Sequence, residues 1–314
     1  MLRTVRTATL EIAYLEHGPA DAPPVVLLHG FPDDVHAYAE VAPALAAQGL
    51  RVLVPWLRGY GPTRFLDAAT PRSGEQAALG SDLRDFLVAL DLKPAVLAGY
   101  DWGGRAACVV SALWPEQVRG LVTIGGYNIQ NIATAGRPGT AQQELAYWYQ
   151  WYFHTPRGEA GLEANRRELC RLLWRLWSPN WRFSEALFAR VAEAWDNPDF
   201  VAVVIQSYRH RHNAAPGDPA LADVEARLAQ SPRIAVPAMN LEGAADGVGV
   251  PRFPDPHAAL FTAGYERRVL DRVGHFLPHE APGAVVRAVL DLAGSYGRSP
   301  MRDRPGRGHA ASRP

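Results

Sequence analysis

Four short apolar runs, Val25–Leu28, Val52–Val54, Ala95–Ala98 and Leu121–Ile124, alternate with stretches of helical periodicity through the first part of the chain. Runs that are short and apolar throughout read as strands buried on both faces. The intervening stretches, His36–Gln48, Glu75–Leu90 and Gly104–Leu113, space their apolar residues for one face of a helix. Strand–helix alternation with short connections has few solutions, and a mostly parallel, doubly wound α/β sheet is the expected one. Leu10–Glu16 reads as an antiparallel edge strand. The pattern resumes late, with strands at Ile234–Leu241 and Arg267–Leu270 and a closing helix at Gly283–Leu292.

Between these two parts the grammar changes. From about Tyr127 to Gln230 there is no buried-strand run, and six of the nine tryptophans fall between Trp148 and Trp195. An aromatic-rich helical block interrupting an α/β pattern reads as an inserted lid. The expected organisation is a core of residues 1–126 and 232–297, a helical cap at 127–231 and a disordered tail at 298–314, where Gly, Pro and Arg dominate. Composition removes several classes of function. The 32 basic residues are balanced by 32 acidic ones, so no basic footprint marks a nucleic-acid partner. Two cysteines exclude a disulfide scaffold and a Cys-rich metal site. No apolar run reaches the roughly 18 residues that suggest a membrane span, and the first residues lack the apolar core of a signal peptide. A cytoplasmic protein with no membrane partner is the expectation.

The chemistry concentrates at Gly99-Tyr100-Asp101-Trp102-Gly103-Gly104, where an apolar strand enters a glycine-flanked turn and a helix follows. This is the shape of a nucleophile elbow, in which small residues let strand and helix close around one strained position. Serine usually occupies that position; here it is Asp101. The helix start behind it favours an ionised carboxylate. A carboxylate attacking an ester or amide would form a mixed anhydride, a poor intermediate. Attack on a saturated carbon forms an alkyl ester that water can later cleave. The residue type therefore points to displacement at sp³ carbon, in an epoxide or an alkyl halide. The plain alternative is that Asp101 caps the helix.

Three other segments supply partners. His29-Gly30-Phe31-Pro32 follows a strand, so the amides of Phe31 and Trp102 can form an oxyanion hole, while His29 reads as a structural histidine. Asp246 follows the late strand, on the face where α/β sheets bind ligands, and can orient a histidine. Glu242 is its weaker rival, and a simple turn-forming role its alternative. Gly274-His275-Phe276 offers that histidine, the glycine leaving room beside the ring for substrate and water. His279 reads as a surface residue. His210 and His212, two apart on a helix, do not share a face for a metal.

On these segments the chain resembles the α/β-hydrolase superfamily with an aspartate nucleophile, and within it the epoxide hydrolases, over nearly all of its length to about residue 297. The resemblance implies an α/β-hydrolase fold with an inserted cap and hydrolysis of an epoxide to a vicinal diol without metal or organic cofactor. It also implies two cap tyrosines that hold and protonate the epoxide oxygen. Tyr149-Gln150-Trp151-Tyr152-Phe153 implicates Tyr149, with Tyr152 and Tyr147 as rivals, and Ser207-Tyr208-Arg209 implicates Tyr208. A departing alkoxide needs such a donor, and a phenol, with pKa about 10, can supply it; aromatic packing is the alternative for each. Asp101, Asp246 and His275 are the expected catalytic set, with Trp102, Tyr152 and Phe276 against the substrate. The expected partners are water and a small apolar or aromatic epoxide, and a homodimer stays open.

Haloalkane dehalogenases share most of these motifs and hold the halide with the tryptophan after the nucleophile, which Trp102 matches. Phe31 stands where one group of them carries asparagine. Fluoroacetate dehalogenases resemble the His29-Gly-Phe-Pro turn but place arginine directly after the aspartate, where this chain has Trp102 and keeps Arg105 nearby. A haloalkane or haloacid dehalogenase is thus the second reading, and a non-catalytic binding protein of the same fold the third.

Overall fold

The computed structural model describes residues 1–294; the expected tail at 298–314 lies outside them. Among the described residues one sheet gathers β1 (Leu2–Arg6), β2 (Leu10–His17), β3 (Pro24–Leu28), β4 (Arg51–Pro55), β5 (Arg64–Phe65), β6 (Ala95–Tyr100), β7 (Val118–Ile124), β8 (Ala238–Gly243) and β9 (Tyr265–Leu270). The spatial order is β1-β2-β4-β3-β6-β7-β8-β9, with β5 paired to β2. Along the sheet from β4 to β9 every pairing is parallel, and only β2 runs antiparallel to its neighbours β1, β4 and β5. The central strands β3, β6 and β8 are buried along their whole length, as continuous apolar runs require.

Helices α1 (Val41–Ala46), α2 (Gln76–Ala89), α3 (Asp101–Leu113), α10 (Leu277–Glu280) and α11 (Pro282–Ala293) belong to the sheet layers, and α4 (Ala141–Ala146), α5 (Trp148–His154), α6 (Pro156–Trp177), α7 (Glu185–Ala192), α8 (Phe200–His210) and α9 (Ala222–Leu228) all fall between β7 and β8. Two pairs, α2 with α3 and α1 with α11, pack on the sheet. The first pair is tight: a Cβ added at Gly80 of α2 would lie 2.2 Å from Val109 Cγ1 of α3. Among the described residues no helix is long and apolar enough to cross a membrane.

Three sequence expectations are corrected. Leu10–Glu16 is not an edge strand, because β1 pairs outside it with Leu2 opposite Leu15; β1 is mostly exposed and shows no apolar run. The stretch His36–Gln48 is broken into a 3-10 turn at Val35–Tyr38, capped by Asp34, and the short α1. Ile234 forms only an isolated bridge with Phe261, and the strand proper starts at Ala238, after Pro237.

Candidate active site

The elbow is a packing solution. Asp101, the first residue of α3, has φ +50°, a left-handed conformation that L-residues reach only with strain. Neighbouring glycines make the turn physically feasible. A Cβ on Gly99 would fall 2.5 Å from the Gly103 backbone, and one on Gly103 would fall 2.2 Å from the Leu28 carbonyl oxygen. One on Gly30 would fall 2.5 Å from Asp101 Cβ. Strands β3 and β6, paired in parallel from Val25–Val96 to Leu28–Gly99, thus deliver the Gly30-Phe31 turn directly onto the carboxylate. The Phe31 amide donates to Asp101 Oδ1 at 2.8 Å. The Trp102 amide lies in the first turn of α3, where backbone N–H groups have no intrahelical acceptor.

The second carboxylate and the histidine arrive on two adjoining loops. A Cβ on Gly243 would meet the Gly274 carbonyl oxygen at 2.3 Å, so this glycine lets the ends of β8 and β9 close together. The Trp177 carbonyl at the end of α6 then accepts from both Gly247 N–H, at 3.0 Å, and His275 N–H, at 3.2 Å. His275 Nδ1 meets Asp246 Oδ2 at 2.9 Å, while Asp246 Oδ1 accepts from the Val248 and Gly249 amides at 2.8 Å each. Burial penalises both charges, yet the pair outweighs it: the carboxyl of Asp246 is held below its ordinary range, and the imidazole of His275 is raised by Asp246 and more weakly by Asp101. His275 Nε2 faces Asp101 Oδ2 at 4.0 Å and has no hydrogen-bond partner among the described residues. Glu242, the weaker rival, pairs with Arg267 of β9 instead.

The block between β7 and β8 brings two phenols to this carboxylate. Tyr149 of α5 and Tyr208 of α8 are buried, with ring centroids 5.2 Å apart in an edge-to-face arrangement. Tyr208 also packs on Phe31 at 5.3 Å and Trp102 at 5.9 Å. Burial raises both phenol pKa values, and the Asp101 charge adds to the effect in each. The Tyr208 hydroxyl and Trp102 Nε1 are buried polar groups without a hydrogen-bond partner among the described residues. Such groups are costly unless something binds them.

Other expected residues are placed elsewhere. Tyr152 lies on a groove with Gly161, Asn165, Glu168 and Leu172, and its ring touches Trp148 and Phe153 and neither of the two site phenols. Phe276 is fully buried behind His275, stacked on Trp177 at 6.1 Å. Gly274 does not make room for substrate: its Cβ would meet Ser178 Oγ at 2.4 Å, so it is small to admit the end of α6. His29 is structural, accepting at Nε2 from the Leu57 amide at 3.1 Å. His279, read as a surface residue, bonds the buried Asp33 at 2.9 Å, and Tyr100 donates to the same carboxylate at 2.5 Å. Sequence reading also passed over Tyr60, buried beside Trp102 at 6.1 Å with an unpartnered hydroxyl among the described residues; no motif around it signals this. Arg105, one turn beyond Asp101, donates to Gln76 Oε1 at 3.3 Å.

A family model described as the alpha/beta hydrolase fold matches residues 23–282. A solved Klebsiella pneumoniae protein named "putative epoxide hydrolase" is 48% identical, covers 93% of this chain and 96% of its own, and superposes with a TM-score of 0.91. Epoxide hydrolase A of Mycobacterium tuberculosis is 25% identical over 92% of this chain and 96% of its own length. A haloalkane dehalogenase of Mycobacterium marinum is 37% identical over 125 residues, 38% of this chain. The chain spans less than half the length of some of the curated relatives it matches, 40% of that dehalogenase among them.

Proposed function

The chain belongs to the α/β-hydrolase fold family, and we propose that it hydrolyses an epoxide to a vicinal diol through a covalent ester on Asp101. The observation that carries this reading is the pair of buried phenols, Tyr149 and Tyr208, 5.2 Å apart and under the influence of the Asp101 charge. Burying the Tyr208 hydroxyl with no partner among the described residues is costly unless a ligand oxygen meets it. Relatives named epoxide hydrolase support the same assignment. In this reading residues 1–126 and 232–297 form the core, and 127–231 are the cap that brings the phenols over the nucleophile.

The first step attacks one epoxide carbon with Asp101 Oδ2, since Oδ1 is engaged by the Phe31 amide. A C–O bond forms as the ring C–O bond breaks, and the released electron pair goes to the ring oxygen. That oxygen takes a proton from Tyr149 or Tyr208. Burial has raised both phenols, which keeps them protonated. The alkoxide, whose conjugate acid is far weaker than an ordinary phenol, is still basic enough to be protonated.

In the second step His275 Nε2 takes a proton from water as the water oxygen adds to the ester carbonyl carbon. The charge develops on Oδ1, already bonded by Phe31 N–H and joined there by Trp102 N–H; one such donor is worth about 3 kcal/mol in comparable sites. Collapse expels the diol oxygen, which takes the proton held by His275. The acid proton left on Asp101 returns to the tyrosinate formed in the first step, so Asp101 is a carboxylate and the phenol neutral again. Asp246 stabilises the imidazolium in between.

One observation favours a second reading. Trp102 Nε1, buried and unpartnered among the described residues, is the donor a departing halide would need. A dehalogenase would use the same Asp101 ester and leave the two phenols without a chemical task. A parallel assay separates the readings: styrene oxide and a chloroalkane are incubated with the protein, and diol and free halide are scored. Diol without halide is expected; halide without diol overturns the epoxide assignment.

A further inference from the structure

Next to Tyr149 lies a hydrogen-bonded pair to which the reaction above gives no role. Gln150 is buried and donates through Nε2 to Tyr149 Oη at 2.9 Å. Its other end, Oε1, meets His212 Nε2 at 2.9 Å. Resting on the reading of Tyr149 as a proton donor, we propose that Gln150 and His212 are positioning residues that keep the Tyr149 hydroxyl hydrogen free for the substrate oxygen.

The argument is one of donors and acceptors. A carboxamide oxygen only accepts, so the contact with His212 requires the hydrogen of that imidazole to sit on Nε2. In the structure the amide turns its oxygen outward and its NH2 inward, the orientation that a hydrogen on His212 Nε2 holds. Tyr149 Oη then receives a hydrogen bond, and its own hydrogen is left for a third partner. The flipped amide would do the reverse: its oxygen would take the phenol hydrogen, and Tyr149 could offer a ligand only lone pairs, which repel an alkoxide. Donation by Gln150 also draws charge from the phenol oxygen and works against the effect of burial on its pKa.

The outer end of the chain is itself held. The His212 ring packs on Trp151 at 4.4 Å and on His154 at 5.5 Å. His154 Nε2 is tied to the Tyr208 carbonyl at 2.9 Å, so α5 and α8 share one junction. Burial, with Arg211 and His154, lowers His212 to about 4, and protonation below that leaves the Nε2 hydrogen in place. Among the described residues Tyr208 has no such partner, so the two phenols are prepared differently: Tyr149 is poised to donate, and the Tyr208 hydroxyl can rotate toward the ligand.

The test measures ester formation on Asp101 in a single turnover of styrene oxide, by rapid quench and intact mass, separately from decay of the ester. Gln150→Leu and His212→Phe should slow formation by roughly tenfold, the scale of one hydrogen bond, and leave decay within about twofold. Gln150→Glu is nearly isosteric but offers an acceptor to the phenol, so it should be at least as slow as Gln150→Leu. In a Tyr149→Phe background Gln150→Leu should add less than about twofold, since the amide then has nothing to orient. Unchanged formation in Gln150→Leu and Gln150→Glu overturns the proposal. So does a tenfold loss that persists undiminished beside Tyr149→Phe, which marks a merely structural role. If the wild-type protein forms no ester with epoxides at all, the reading of Asp101 and Tyr149 fails first, and this inference with it.

Discussion

His275 Nε2 stands 4.0 Å from Asp101 Oδ2, beyond hydrogen-bond range. A serine in the same place would need that imidazole within about 3 Å, because its hydroxyl must lose a proton to become a nucleophile. A carboxylate is ionised already. The gap suits a base whose partner is a water on its way to an ester, and it separates the two chemical steps between two groups. Asp101 is free to attack whatever the protonation state of His275, and only release of product depends on the histidine.

Asp101→Asn should therefore abolish turnover, by more than ~10⁴-fold, while leaving the fold intact. Asparagine tolerates the left-handed φ of +50° nearly as well as aspartate and still offers an oxygen to the Phe31 amide. Diol formation and the thermal midpoint, measured on one preparation, check this. Substantial activity in the variant removes the nucleophile assignment.

His275→Gln should permit the first half-reaction and stall the second. Intact mass after mixing with epoxide should rise by the mass of one substrate, and peptide mapping should place the adduct on Asp101. In oxygen-18 water the wild-type enzyme should accumulate label in the Asp101 carboxyl over repeated turnovers, because the incoming oxygen joins that carbon. A clean, unlabelled Asp101 after many cycles means that water attacks the substrate directly.

The pH dependence has a definite sign. Hydrolysis of the ester needs neutral His275, and its pKa is raised above the ordinary 6.5 by Asp246 despite burial. Turnover should then climb with pH through a midpoint above 6.5, whereas ester formation should not follow that limb. Asp246→Asn takes away the larger charge on the ring, so the limb should move to lower pH while the maximum rate falls. The midpoint belongs to the coupled pair and is read from a pH–rate profile of single-turnover ester decay. A limb that stays put in Asp246→Asn contradicts the pairing.

Much of this was legible in the sequence because the features concerned are local. Buried parallel strands must be apolar on both faces, so β3, β4, β6 and β7 announce themselves; β1 and the two-residue β5 are short and exposed and do not. The elbow is legible because glycines on either side of one residue have a single steric purpose. Relations across the chain are not legible. His279 looks like a surface residue until Asp33, 246 positions away, is seen beneath it. Gly274 looks like space for a ligand until Ser178 fills it, and His212 gives no sign of reaching Gln150. Periodicity reports which face of an element is buried but is silent on what buries it.

Gly30→Ala probes the elbow without replacing a reacting group. The new methyl would sit 2.5 Å from Asp101 Cβ and 2.8 Å from Oδ1, so the turn or the carboxylate must shift. Overpacking of this kind costs roughly 1–3 kcal/mol in stability. The rate loss should be larger, because the same shift breaks the Phe31–Asp101 bond that holds the oxyanion site in register. The comparison is of thermal midpoint against the rate of ester decay. A variant that loses stability but keeps full rate shows that the fit at Gly30 serves folding alone.

Tyr149→Phe and Tyr208→Phe distinguish the epoxide reading from its rival. Both phenylalanines keep the mutual edge-to-face packing and the contact with Phe31, and Tyr208→Phe also keeps that with Trp102, so the fold should survive. Each removes one hydroxyl from the place where an alkoxide would form. Loss of one donor should slow ring opening by about 10–10² fold, because the other phenol still holds the oxygen, and loss of both by ~10³-fold or more. Removing Tyr208 Oη also removes a buried polar group with no partner among the described residues, so Tyr208→Phe should raise the thermal midpoint of the free protein while it lowers the rate. A halide leaves without a proton, so a dehalogenase would keep its rate in the double variant. Retained turnover of an epoxide in Tyr149→Phe/Tyr208→Phe would remove the two phenols from the mechanism and leave Trp102 as the group that meets the leaving atom.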